Sequence, residues 1–399
     1  MNDSVTRNDR VSAPLLEPLA YHRAIVAFLR ENEPEIWNWS ASQRTHEEHV
    51  QETRSQLLRE TYRLDAEAHP ELHEDCRLVL NTLGLDAPVT LYQAADSSMN
   101  AALSYIPGEI HLIFYGPVLE KLSKAERIAL LGHELAHYKL WSINDGAYHV
   151  ATRILDHSLA YQGCAPSHNE TARAYRLYTE LYADRGAAQA AGSPRPAIAT
   201  LVKTMTGLSV ADPDAYLRQA AELESEAGKS YGETHPEVFL RVQALHKWWQ
   251  QDTGVESWID ARIRGPLSLN ALDLPRQHEL TALTRGFLAR LAADPAAVGE
   301  AVPAQLRRYF PDWRVDELPF DNAALAPDRI DDSVRDYLIA LSFDLAMADP
   351  DARDALLTAG AHLAQGFGGL NAYRVALKRD LKLGKQAIER LLAPLGEGA

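Results

Sequence analysis

The 399-residue sequence predicts a mainly α (α+β) chain with one small antiparallel sheet beside a long helix and helical regions at both ends. Three observations carry this. Apolar residues recur at helical spacing from Tyr21 to Leu83 and again beyond Pro117. The period shortens only in VTLYQA (89 to 94) and NAALSYIPGEIHLIF (100 to 114), which are rich in β-branched and aromatic residues. Two stretches, Ser123-Lys124-Ala125-Glu126 and Ser167-His168-Asn169-Glu170, have capping-box spacing and mark helix starts.

The elements follow in order. The first twenty residues are polar with two prolines and read as an arm. Three helices fill 21 to 83, punctuated at Asn32 to Pro34, at His69-Pro70 and at Gly84. VTLYQA is a strand, and Pro107-Gly108 turns the next run into a hairpin. The Ser123 box starts a helix that runs to about Trp141; a second helix covers Ala147 to Ala160. The Ser167 box starts a third that stops near Gly192. Residues 193 to 254 are helical with loops at Ser193-Pro194, Asp212-Pro213 and Gly232 to Pro236. Beyond 255 amphipathic helices are broken by prolines and no strand pattern recurs. The expected division is a helical region over 1–64, a central domain over 65–254 and a helical domain over 255–399, in keeping with a length too great for one core.

Bulk properties narrow the function. A formal net charge of −15 repels phosphates at long range, so nucleic acid is not expected as a partner. No apolar h-region and no run of the length a spanning helix needs are visible. Two cysteines, Cys76 and Cys164, in no metal-ligand spacing, suit a reducing compartment. A soluble, cytoplasmic protein is the expectation.

The chemistry concentrates in LLGHELAHYKLW (130 to 141). On a helix His133 and His137 lie one above the other and can direct two imidazoles at one ion. Glu134 is turned about 100° from His133, which stands its carboxylate beside such an ion rather than on it. A chance H-E-x-x-H somewhere in this chain is roughly a one-in-twenty-five event. Two core histidines would leave Glu134 as an unpaired charge in an apolar stretch, a cost that a bound cation removes.

A working zinc site needs a third protein ligand. In ELYAD, Glu180 and Asp184 are four apart on a helix; Glu180 can ligate and Asp184 can accept the second ring N–H of a ligand histidine. His149, His157 and His168 are alternative third ligands without a carboxylate at i+4. The pairs His46/His49 and His69/His73 sit in charged stretches and read as solvated faces.

These residues together resemble the HtpX-like and CAAX-prenyl-protease group of zinc peptidases, gluzincins marked by HExxH followed by ExxAD. Both motifs stand complete as HELAH (133 to 137) and ELYAD (180 to 184), preceded by Asn100-Ala101 and GEIHLIF and followed by HPEVFLRV, with His235, Pro236 and Arg241 in place. The resemblance spans about residues 65 to 250. It implies a gluzincin-type core, one Zn2+ held by His133, His137 and Glu180, Glu134 as general base and acid, and Asp184 behind the ligands. It implies further that His235 stabilises the oxyanion, Arg241 orders the site, and the strand with Asn100, Ala101 and Ala102 binds peptide by β-augmentation. The expected activity is that of a zinc metalloendopeptidase acting on protein or peptide substrates; the alternative is a metal-stabilised, non-catalytic interaction module. The chain departs from many relatives in lacking hydrophobic segments around the core. Its C-terminal helices have no counterpart there and are expected to pack or to bind a protein partner.

Overall fold

The computed structural model describes residues 14–96, 98–161, 163–224, 228–295, 297, 299–314 and 322–395, with side chains undescribed at 43–49 and 322. The expectations for residues 1–13 and for the His46 and His49 side chains fall outside the described residues. The chain forms two compact units, residues 1–265 and 266–399.

The first unit runs α1 (Ala20–Asn32), α2 (Pro34–Ser40), α3 (Gln43–Glu60), β1 (Thr61–Arg63), α4 (Pro70–Leu83), β2 (Val89–Ala94), β3 (Asn100–Ile106), β4 (Glu109–Tyr115), α5 (Val118–Lys121), α6 (Lys124–Ser142), α7 (Ala147–Ala160), α8 (Pro166–Ala191), α9 (Pro194–Thr206), α10 (Pro213–Glu222), α11 (Val238–Trp249) and α12 (Val255–Ile263). The helices of 1–64 are part of this unit, and it continues past 254 to Gly265. The reason is burial: Tyr21, Ile25 and Leu29 of α1 lie in the core, where Tyr21 stacks on Tyr178 of α8 with ring centroids 4.5 Å apart.

The sheet is mixed, in the order β1-β2-β4-β3, and not antiparallel throughout. The Pro107-Gly108 turn, with Gly108 at φ 79°, makes β3 and β4 an antiparallel hairpin as expected. The segment after β2 carries the chain across, so β2 pairs parallel with β4 and leaves β3 as an edge. The short β1 adds antiparallel to β2, through residues whose sequence carries no alternation of its own.

The α6 N-terminus is the expected capping box: Ser123 Oγ accepts from Glu126 N–H at 3.4 Å, and Glu126 Oε2 accepts from Ser123 N–H at 2.7 Å. The second box does not form. Pro166, whose fixed φ and missing N–H suit the first turn, starts α8 after an extended Ala165 with no side-chain cap. Ser167 is already inside the helix, and Glu170 bonds Arg173 and Lys229 instead.

Helices α6 and α8 make the most extensive contact in the unit. Small residues allow it. A Cβ at Gly132 would lie 2.5 Å from Ala190 Cβ, and one at Gly186 would lie 2.3 Å from Ala136 Cβ, so the two backbones approach as only glycine permits. Around them Arg127 pairs α6 with Asp75 of α4, and Lys203 of α9 pairs with Glu126 at 2.8 Å.

The second unit holds α13 (Leu274–Ala292), α14 (Ala301–Tyr309), α15 (Asp332–Ala348), α16 (Arg353–Gly366), α17 (Leu370–Arg379) and α18 (Lys385–Leu392). Phe287, Leu338, Leu357, Phe367 and Tyr373 centre its core. A single bridge, Leu267 to Ile330, is the only β pairing among its described residues. No described helix in either unit is long and apolar enough to cross a membrane.

Candidate metal centre

Helical period sets the first part of the site. His133 and His137, one turn apart on α6, place their Nε2 atoms 3.3 Å from each other. The α6–α8 crossing supplies the second part: Glu180 Oε2 lies 3.5 Å from His133 Nε2, and Glu180 Oε1 lies 3.7 Å from His137 Nε2. A tetrahedral ion with bonds of about 2.0–2.1 Å needs ligand–ligand edges of about 3.3–3.4 Å, close to these contacts, and one donor atom from each of the three residues lies within 4.8 Å of the others. Among the described residues, these three form the group of histidine and carboxylate donors that could hold a metal ion.

Charge points the same way. Glu134, Glu180, Asp184 and Arg241 are all buried, and the excess of carboxylates over the one guanidinium favours a cation among them. Burial would lower His133, but the carboxylates of Asp184 and Glu180 overcome it and raise it to about 10. The pocket thus draws positive charge to this ring. Burial lowers His137 to about 4, leaving its imidazole neutral with a lone pair to give. Its Nδ1 is buried without a hydrogen-bond partner. Burial opposes ionisation of Glu180, yet Arg241 and His133 hold its carboxyl well below the usual range.

Asp184, one turn beyond Glu180, accepts from His133 Nδ1 at 3.2 Å, which leaves Nε2 of that ring free to ligate. Arg241 of α11 forks onto Asp184 at 2.7 and 2.8 Å and reaches Glu180 Oε2 at 3.2 Å. Burial pushes Glu134 up to about 7, with the positive charge of His133 opposing it. The backbone N–H of Leu103, on edge strand β3, donates to this carboxylate.

These groups line a cleft of about 900 Å³. Asn100, Ala101 and Ala102 of β3 form part of its wall, and His235 enters from the loop before α11, its Nε2 3.6 Å from Glu180 Oε2. The site residues read from the sequence therefore share one cavity. The alternative third ligands do not join them: His149 packs its ring 4.2 Å from that of Tyr105, His157 lies by Trp39, and His168 pairs with Glu33 at 2.8 Å. Sequence reasoning missed Trp141, whose ring lies 5.5 Å from that of His137 in the cleft wall. Its position at i+4 from His137 was the available signal. It also missed His22 of α1, fully buried with Nε2 3.2 Å from Thr179 Oγ1, next to Glu180. No local pattern announces that contact.

A helix bearing His-Glu-x-x-His, closed by a carboxylate from a crossing helix beside an open sheet edge, defines a metallopeptidase domain. Residues 67–249 match the model of peptidase family M48, the segment in which the HExxH and ExxAD resemblance lies. Helices α1 to α3, strand β1, helix α12 and the second unit lie outside it. Searches of curated proteins and of solved structures returned no match.

Proposed function

We propose that this metallopeptidase is zinc-dependent and cleaves peptide bonds by a water that Glu134 activates. The observation that carries the reading is the His133, His137 and Glu180 triangle with Glu134 beside it and not in it. Zinc in that triangle would act as a Lewis acid and bring the pKa of a water toward about 7. The donor set, two imidazoles and one carboxylate with a free general base, is that of a catalytic and not a structural zinc site.

The protein's own groups do the rest. Glu134, buried beside the triangle, takes a proton from the attacking water and returns it to the departing amine. His235 donates toward the carbonyl oxygen as negative charge develops there. Asp184 and Arg241 hold the His133 ring and the Glu180 carboxylate in place. The unpaired edge of β3 receives an extended peptide as an added strand, with Asn100, Ala101 and Ala102 alongside it. This edge supports endopeptidase action, since a strand can run past the site in both directions. Two free, unpaired cysteines support the cytoplasm as its compartment. The helical second unit is the proposed surface for a protein partner.

Glu134→Gln is the test. It keeps the shape and the three ligands, so zinc content by elemental analysis should equal that of the unaltered protein while peptide hydrolysis falls by about 10²–10⁴-fold. Retained hydrolysis removes Glu134 from its role. Hydrolysis absent from the unaltered, zinc-loaded protein favours the non-catalytic alternative.

A further inference from the structure

His235 reaches the cleft on a loop, residues 228–237, in which Pro236 is the one buried apolar residue; Tyr231 at its tip is 88% exposed. The loop is shaped by polar bonds of its own. Ser230 Oγ donates to Glu237 Oε2 at 2.7 Å, Tyr231 N–H donates to Glu237 Oε1 at 2.9 Å, and Gly232 N–H donates to Ser230 Oγ at 3.2 Å. The chain then folds back tightly: a Cβ at Gly232 would lie 2.0 Å from the carbonyl oxygen of His235. Where Gly232 is held, His235 is held.

A backbone bond from Ser230 N–H to Arg262 O at 2.6 Å ties the start of the loop, and Arg173 of α8 holds the Gly232 carbonyl. This buried guanidinium donates to Gly232 O at 2.8 Å and to Ile263 O, at the end of α12, at 3.2 Å, with Ser230 O at 3.5 Å. Its remaining N–H groups fork onto Glu170 at 3.0 and 3.1 Å, and Glu170 also takes Lys229 of the loop at 2.8 Å. Arg173 stands seven residues before Glu180 on one helix. Two turns bring both to the same face, about 10.5 Å apart along the axis. Helix α8 thus carries a candidate metal ligand at one point and the clamp on the His235 loop at another.

We propose that Arg173 is a positioning residue that sets His235 against the metal centre, by clamping the Gly232 carbonyl to the helix that carries Glu180. This deepens the reading of His235 as the oxyanion donor and rests on it. Arg173 lies outside both motifs and makes no contact with the reacting atoms in this reading; its effect is exerted through the loop. A lysine retains the charge but cannot make a planar fork to a carboxylate while also bonding two carbonyls.

The experiment is a double-mutant cycle of Arg173→Lys and His235→Ala on the full-length, zinc-loaded chain. It follows peptide kcat and KM, zinc content, and hydrogen exchange of the loop and of α8. The expected result for Arg173→Lys is faster exchange over 229–235 with α8 unchanged, full zinc content, and kcat lowered about 10- to 100-fold with KM little altered. In the His235→Ala background the same change should have no further effect on kcat. Unchanged loop exchange overturns the clamp. An equal kcat loss in the His235→Ala background also overturns the proposal, because Arg173 then acts by another route. If His235→Ala leaves kcat intact, the oxyanion reading fails and the catalytic part of the proposal with it, while exchange still reports the clamp separately. Should Arg173→Lys not fold, Glu170→Gln, which withdraws the carboxylate from Arg173 and Lys229, is judged by the same criteria.

Discussion

Replacing Gly186 by alanine changes no candidate ligand, yet it should weaken metal binding. The added Cβ would lie 2.3 Å from Ala136 Cβ and 3.0 Å from Gly132 O, where ordinary contact begins at 3.4 Å. The α6 and α8 backbones must therefore separate by about 1 Å along that line. Alanine returns about 1 kcal/mol of helix propensity, against about 1–3 kcal/mol for overpacking, so the fold loses only about 0–2 kcal/mol. The metal suffers more, because ligand distances tolerate only about 0.2 Å. Glu180 rides on α8 while both histidines ride on α6, so the separation opens two of the three edges of the triangle. Zinc affinity, measured by competition with a chromophoric chelator, should fall by at least about 10- to 100-fold. Thermal unfolding of the metal-free protein should shift by only a few degrees. Wild-type zinc affinity in Gly186→Ala would refute the argument that this helix crossing sets the ligand geometry.

Other outcomes follow from the same structure. Asp184→Asn keeps the shape but loses the charge that orients His133 and pairs with Arg241; zinc affinity by the same competition should drop about 10- to 100-fold. Lys203→Met leaves Glu126 buried without its cation and should cost about 3–5 kcal/mol in denaturant unfolding. His22 gives a pH signature: burial, with Arg185 nearby, lowers it to about 3 from an ordinary 6.5. The unfolded chain then binds a proton that the folded one refuses. Stability is therefore full above pH 6.5 and falls toward pH 3, by about 1.4 kcal/mol per pH unit. Unfolding midpoints at pH 7.5 and 5 should diverge less in His22→Phe than in the unaltered chain; an equal divergence rejects the assignment.

Much of the site was legible because its logic is local. A 3.6-residue period alone puts His133 over His137, turns Glu134 aside, and stacks Asp184 behind Glu180. The Ser123 box and the Pro107-Gly108 turn are likewise completed within a few residues, and both form as read. The Ser167 box failed although its spacing was equally good, because Pro166 competes for the first turn one residue earlier. Spacing proposes a cap; the neighbouring residue decides whether it is used.

The sequence by itself determined that His133 stands over His137, that Glu134 is turned aside from both, and where the hairpin turns, since each depends on contacts within one or two turns of chain. Tertiary structure decided that β2 lies parallel to β4 and leaves β3 as the edge, that α1 belongs with the peptidase core, and that Arg173 grips the loop of His235. It also decided that two helices meet through Gly132 and Gly186 closely enough for Glu180 to complete the triangle. Such contacts join residues dozens of positions apart, and their geometry is set by how whole surfaces pack, which no local periodicity encodes.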